Sequence, residues 1–479
     1  MISRNDFLKK LGLGVAGLSV GPWVINEILK ADGFDHDNYF NAVAPNNKLW
    51  LAVHASGGWD PTSLVDPKGD DGTSKRINKF AISQIQNVGP FKIAPNAIYN
   101  TAGNVNGFAT GAGTLNFDFF NTYQNNMCIV NGIDFKTNSH GDGPRYIWSG
   151  SNRVGTASFP AIVAAAFAPS QPLAFMNNGG YAETAGLLPA SQINNASLIQ
   201  EIALPNRVAP TSSSNLSSFF TTKTFDRIKR SRDTRHANIR KTQLLPKLKD
   251  AMDKLSRSRI GEQKLQQFIS QLTAVDTTIA SLNLAPEYLN ARISQQFRVV
   301  YAAYKAGITV SATLNQGGFD THGNHDNRHL PNLDNIMYGL NFIMALSGAE
   351  GISNRMSIMV ASDFGRTPKY NAGNGKDHWP ISSMIVLNPD IGGPKLLGGT
   401  DSGQRALKYG SNFVQDNPNG TDTTGSEFRI TDIQNSLRKL AGIQTFTDAA
   451  TSQDALGNTF DLDDHQIKAD SNVRDNLFI

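Results

Sequence analysis

Ile308-Thr309-Val310-Ser311-Ala312-Thr313-Leu314 is an apolar run that meets Gly317-Gly318 and then Asp320-Thr321-His322-Gly323-Asn324-His325. A short apolar run closed by a glycine turn reads as a buried strand. Carboxylates and imidazoles just beyond it read as a site, because ligands of open α/β sheets gather outside the carboxyl ends of the strands. The pattern recurs. Lys48-Leu49-Trp50-Leu51-Ala52-Val53-His54 leads into Gly57-Gly58-Trp59-Asp60, and Met356-Ser357-Ile358-Met359-Val360-Ala361 leads into Ser362-Asp363-Phe364-Gly365-Arg366. Met127 to Asn131 is a further strand candidate, followed by the polar loop Asn138-Ser139-His140-Gly141-Asp142-Gly143-Pro144, where Pro144 suits a first helical turn. Ser383 to Leu387 is another, just after Gly375-Lys376-Asp377-His378.

Between these runs the periodicity is helical. Leu330, Leu333, Met337, Leu340 and Met344 lie on one face at spacings of 3, 4, 3 and 4. Ile260, Leu265, Phe268, Ile269, Leu272 and Val275 recur at similar spacing, and a last helix spans about Thr431 to Leu440, closed by Gly442. Phe159 to Phe167 fits either a strand and helix or one Ala-rich helix. Strands alternating with helices predict an α/β fold, with a mostly parallel central sheet flanked by helices. A helical insertion is expected at about 216–300.

The charge is uneven. Thirteen Lys and Arg face four Asp between Lys223 and Arg259, a surplus of nine, so the remainder of a chain of net charge +4 carries −5. The segment could attract a polyanion or an anionic membrane surface, but it lacks the aromatic interleaving of a platform that stacks bases, and a solvated helical face is the plainer reading. No nucleic-acid partner is expected. Cys128 is the only cysteine, which rules out an intrachain disulfide and Cys-rich zinc sites; it sits in an apolar run as a buried, inert thiol. No phosphate-loop or dinucleotide motif occurs in a strand–helix context.

The first 47 residues read as targeting followed by linker. Ser3-Arg4-Asn5-Asp6-Phe7-Leu8-Lys9 precedes a weakly apolar, Gly-rich run from Leu11 to Val20. This is similar to a twin-arginine export signal with Asn5 in place of the second arginine; the general secretory route is the alternative. The expected organisation is an export signal at 1–30, a linker at 31–47 and one domain at 48–479. The expected location is periplasmic or extracellular in a bacterium. The export machinery is then a partner, and membrane contact would come only through an uncleaved signal.

Asp and neutral His form a good ligand set for zinc or manganese. In an extended Asp320-Thr321-His322 both acidic and imidazole side chains point to one side, and the bend at Gly323-Asn324 could bring His325 near. Each residue also has a duller reading. Asp60 and Asp363 could cap a turn or helix, Asp377-His378 could be loop polarity, and His54 inside its apolar run fits a satisfied core histidine. Arg366 is either an anion clamp or a salt-bridge partner.

Taken in order, Gly57-Gly58-Trp59-Asp60, Gly318-Phe319-Asp320-Thr321-His322, Ser362-Asp363-Phe364-Gly365-Arg366-Thr367 and Lys376-Asp377-His378, behind an export signal, resemble the domain of unknown function family 1501, DUF1501. That family belongs to the alkaline phosphatase-like superfamily of phosphatases, sulfatases and phosphomutases. The resemblance implies the alkaline phosphatase-like fold and a centre for one or two divalent ions (zinc, manganese or calcium). It implies Asp60, Asp320, His322, His325, Asp363, Asp377 and His378 as candidate ligands. Ser139, His140 and Arg366 are the catalytic candidates: Ser139 as nucleophile at a helix start, with water as the alternative. Two departures stand out. Phe364 replaces a metal-binding histidine of active superfamily members, and Asp363 stands where the family usually has glutamate. The sulfatase Cys-x-Pro-x-Arg signature is absent, so formylglycine chemistry is not expected. The function implied is hydrolysis of a small or polymeric phosphate or sulfate ester. The rival is a non-catalytic exported binding or assembly protein, with polar loops such as Asn96 to Thr114 as its surface.

Overall fold

The runs at 48–54 and 356–361 form strands β1 (Leu49–Ala55) and β6 (Met356–Ser362), and every residue of both is buried. The computed structural model describes residues 48–72, 77–168, 171–188, 191–192, 201, 204–212, 214–249, 251–252, 262–410, 425–443 and 476–478. In it β1 and β6 pair in parallel, Leu49 opposite Met356 and Ala55 opposite Ser362. On the other flank of β1 lies β5 (Ser311–Gln316), also parallel, with Ala55 opposite Gln316. β5 begins three residues later than the apolar run. Gly307, at φ +68°, turns the chain out of the preceding helix, so Ile308 to Val310 serve as the connection.

The sheet runs β8 (Lys395–Gly398), β2 (Met127–Asp134), β7 (Ile381–Leu387), β6, β1, β5, β3 (Phe175–Asn177) and β4 (Ser191–Gln192), with β9 (Phe428–Arg429) beside β2. It is largely parallel, as expected. Among the described strands β7 alone runs antiparallel to both neighbours. That reversal carries the start of β7, rather than its end, to the edge where β1, β2, β5 and β6 finish.

Both faces of the sheet are covered, which explains why β1 is apolar throughout rather than alternating. Leu49, Leu51 and Val53 pack toward α7 (Arg292–Lys305) and α8 (His325–Ala349), among Phe297, Val300, Leu333, Met337 and Leu340. Trp50 and Ala52 point the other way, toward α3 (Phe159–Phe167) and α9 (Ile430–Leu440). Residues 159–167 are thus one helix, without the strand. Cys128 on β2 is buried, and burial pushes its thiol up to about 12. Residues 96–109 form a hairpin tied to α8: Tyr99 donates to Asp334, and the Val105 N–H donates to Asn327.

The 216–300 span divides by burial. α4 (Thr222–Thr242) has no buried residue, so its Lys and Arg form a solvated face. α5 (Glu262–Ser281) instead buries Phe268, Leu272 and Val275 in the main core, because its apolar residues recur on one side. The export-signal and linker readings fall on residues 1–47, outside the described residues. Among the described residues no helix is long and apolar enough to cross a membrane.

Candidate functional site

Close backbone contacts bring the loops at the sheet edge together. Gly57, just after β1, has φ +116°, and a Cβ there would lie 2.5 Å from the Asp320 amide nitrogen; only glycine lets the two strand ends approach this closely. Gly375 plays the same part for the loop before β7, since a Cβ would strike the His322 carbonyl oxygen at 1.9 Å. An open cleft of about 610 Å³ results, lined by His54, Gly57, His140, Gly318, Asp320 and Asp363 among others.

At its rim three imidazoles converge on one carboxylate oxygen. The Nε2 atoms of His322, His378 and His140 lie 3.0, 3.3 and 3.6 Å from Asp320 Oδ1. Each ring's other nitrogen is occupied. His140 Nδ1 lies 2.6 Å from Asp363 Oδ2, His322 Nδ1 2.8 Å from Asp377 Oδ1, and His378 Nδ1 2.8 Å from the Asn138 carbonyl oxygen. All three partners only accept, so each Nδ1 carries a proton, assigned from the partners, and in a neutral ring Nε2 is the nitrogen with the lone pair. His322 Nε2 and His378 Nε2 lie 3.0 Å apart. Two facing lone pairs at that distance repel unless a proton or cation sits between them.

Asp363 stands behind this cluster as its support. The Trp148 Nε1–H can only donate, and it donates to His54 Nδ1 at 3.0 Å. His54 Nε2 therefore carries the ring proton and lies 2.9 Å from Asp363 Oδ1. Asp363 Oδ2 accepts from His140 and from the Gly57 N–H at 3.1 Å. Burial pushes the Asp363 carboxyl up, but hydrogen bonds from His54, His140 and Gly57 outweigh it and hold it below the usual carboxylate range. Partial burial raises Asp320 too, yet Arg366 and His378 bring it down to about 2. Burial lowers His378, against the opposing pull of Asp320 and the Asn138 carbonyl.

A second group of the same residue types lies in the interior. Asp60 Oδ1 accepts from the Thr62 N–H at 3.0 Å and from the Thr62 hydroxyl at 2.6 Å, while Oδ2 receives the Lys376 ammonium at 2.5 Å. Both side chains are wholly buried. His325 Nε2 lies 3.5 Å from the same Oδ2, and His329 Nε2 accepts the Asp60 N–H at 3.1 Å. Burial disfavours charge on Asp60, but the Lys376 ammonium holds its carboxyl far below the usual range. Burial lowers His325, and His329 still further, so both are neutral.

Arg366 separates the two groups. Its guanidinium is fully buried and donates Nε to the Gly58 carbonyl at 2.7 Å, Nη1 to the Lys376 carbonyl at 3.0 Å, and Nη2 to the Gly57 carbonyl and to Asp320 Oδ1, the latter at 2.8 Å. Of its two readings this geometry matches the salt-bridge partner. The Ser139 hydroxyl accepts from the Gly141 N–H at 3.3 Å, and the Ser139 carbonyl accepts the first amides of α2 (Asp142–Ser149), so the residue holds the turn into that helix.

Among the residues singled out from the sequence, Asp320, His322, His378 and His140 meet. Asp363 and Asp377 brace them from outside. Asp60 and His325 lie apart in the interior group. Four participants carried no functional reading of their own: His54, which read as a core histidine and is one that also faces Asp363; Lys376, quoted only as the residue before Asp377-His378; and Thr62 and Asn78, whose loop lacks any motif.

The donor set suits a divalent ion. The three Nε2 atoms lie 3.0–3.6 Å from Asp320 Oδ1, near the ~3.3 Å ligand–ligand spacing around an ion with bonds of about 2.0 Å. Among the described residues only His140, Asp320 and His378 present ligand atoms all within 4.8 Å of one another, so these three could hold an ion and His322 stands outside that set.

Compared with known families, the chain matches the one described as Protein of unknown function (DUF1501) over residues 47–416, and it belongs to that family. No curated protein matches it.

Proposed function

We propose that this member of the family is an exported, metal-dependent hydrolase of the alkaline phosphatase-like kind that cleaves a phosphate or sulfate ester at the rim of its sheet. The observation that carries this reading is the convergence of three Nε2 atoms on Asp320 Oδ1, each ring locked by an acceptor at Nδ1. Such bracing is how proteins orient histidine ligands and raise their basicity. A divalent ion so held supplies Lewis acidity toward an ester oxygen and toward a water nucleophile.

The chain's own residues do the rest. Arg366 keeps the Asp320 carboxylate ionised and aimed, and Asp363, Asp377 and the Asn138 carbonyl fix the three imidazoles. The open cleft admits the ester beside them. Among the described residues no imidazole reaches the Ser139 hydroxyl, which favours water over Ser139 as nucleophile. Two further candidate ligands from the sequence, Asp60 and His325, lie in the interior group, which favours one ion over two.

The second reading is a non-catalytic binding protein with the same fold. Phe364 supports it: the ring packs 4.8 Å from His140 and 4.4 Å from His378, filling the flank where active enzymes place another ligand. Metal content of the purified protein, measured by inductively coupled plasma mass spectrometry, tests the choice. About one equivalent of zinc, manganese or calcium, lost in Asp320→Asn, together with turnover of aryl phosphate or sulfate esters, upholds the hydrolase. Metal without turnover leaves the binding reading. No metal after supplementation removes the centre altogether.

A further inference from the structure

We propose that the interior group around Asp60 is a cation site whose resident cation is the Lys376 ammonium, and that this lysine takes the place of a second metal ion. The Nζ atom contacts Asp60 Oδ2 at 2.5 Å and Asn78 Oδ1 at 2.8 Å, and lies 5.0 Å from the centre of the Tyr370 ring. The Asn78 amide is oriented for this, because its Nδ2 donates to the Thr62 carbonyl, the Thr62 hydroxyl and the Lys68 carbonyl, leaving Oδ1 for the ammonium.

An independent observation points to a cation here. Thr321 Oγ1 lies 3.3 Å from the Phe319 carbonyl oxygen and 2.7 Å from His325 Nδ1. His325 Nε2, in a residue only 1 % exposed, has no hydrogen-bond partner. It faces the same Asp60 oxygen that the ammonium grips. A carboxylate oxygen, an amide oxygen and an imidazole nitrogen gathered in one buried place are the ligand types that zinc or manganese takes. Here a covalently attached ammonium answers them.

Two consequences follow. The protein binds a single exchangeable ion, because the other place is taken by its own chain. Lys376 is also a positioning residue, since its ammonium clamps the loop carrying Asp377 and His378 onto the loop carrying Asp60. Shortening the side chain to alanine vacates space for an ion and a water while leaving Asp60, Asn78 and His325 in place.

The test compares wild type, Lys376→Ala and the charge-free pair Lys376→Ala with Asp60→Asn, each equilibrated with Zn²⁺ or Mn²⁺ alone. Metal equivalents and melting temperature, with and without chelator, are read. We expect Lys376→Ala to bind one equivalent more than wild type, to melt lower in chelator, and to recover with metal. The double variant should match wild type in ion count and show no such recovery. Equal ion counts in Lys376→Ala and wild type, with melting indifferent to metal, would overturn the proposal. So would a Lys376→Ala protein that stays unfolded whatever ion is supplied. The inference deepens the hydrolase reading yet fails separately from it: a wild type free of metal defeats that reading, whereas this one rests only on the difference between variant and parent.

Discussion

Two groups of Asp and His lie on either side of Arg366 and solve the same electrostatic problem differently. At the rim, Asp320 is half exposed, and its surrounding imidazoles turn lone pairs toward it. In the interior, Asp60 is wholly buried, and an ammonium neutralises it. Water can solvate the first charge while it waits for an ion. The second has no water, so leaving it uncompensated would cost several kcal/mol, and the compensating cation has to be part of the chain. Exposure thus separates an exchangeable centre from a permanent one.

The sharpest way to break this comparison is Lys376→Met, which fills the space of the lysine stem and leaves no room for an ion. Denaturant unfolding should show a loss of roughly 3–5 kcal/mol, the usual cost of removing one partner of a buried pair, with no rescue by metal. A loss below about 1 kcal/mol would mean that Asp60 is not charged in the fold.

Acid should act next, and through the interior. His325 and His329 have depressed values in the fold, so their contribution is fully present above about pH 6.5 and is lost as pH falls from there through their folded values. Each contributes a slope of up to about 1.4 kcal/mol per pH unit. Urea midpoints between pH 7 and 5 should fall in the wild type, and His329→Gln should flatten the curve. An unchanged slope in that variant would place the acid sensitivity elsewhere. Asp320, depressed to about 2, acts over a lower window, between its unfolded value near pH 4 and pH 2, and being half exposed it contributes less.

At the rim the effects belong to binding rather than folding. Asp377→Ala removes the acceptor that holds His322 Nδ1, at a side chain 54 % exposed. Metal affinity by competition titration should drop roughly 10-fold or more, while stability stays within about 0.5 kcal/mol. Asp320→Asn should abolish metal uptake with a similarly small change in melting. A large melting shift in either variant would show the rim to be structural.

Much of the edge was legible from local pattern. Apolar runs ended by Gly57-Gly58, Gly317-Gly318 and Asp363 announced three neighbouring strand ends, and β5, β1 and β6 do lie side by side in parallel. Asp320-Thr321-His322 and Asp377-His378 stood out because polar ligand-type residues cluster there within a few positions. The reversed strand β7 was not legible as such, since an apolar run carries no direction. Nor was the burial of Arg366, whose partners are carbonyl groups of two loops and a carboxylate of a third.

Taken alone, the sequence determined where strands stop and which side chains follow them, because hydrophobic period and glycine turns are local properties. Only the tertiary structure decided how those side chains were shared out. Asp60 meets Lys376 across 316 positions of chain, and His140 meets Asp363 across 223. Which carboxylate faces water and which faces an ammonium depends on packing between distant segments, and burial, which sets the cost of an unpaired charge, exists only once those segments have come together.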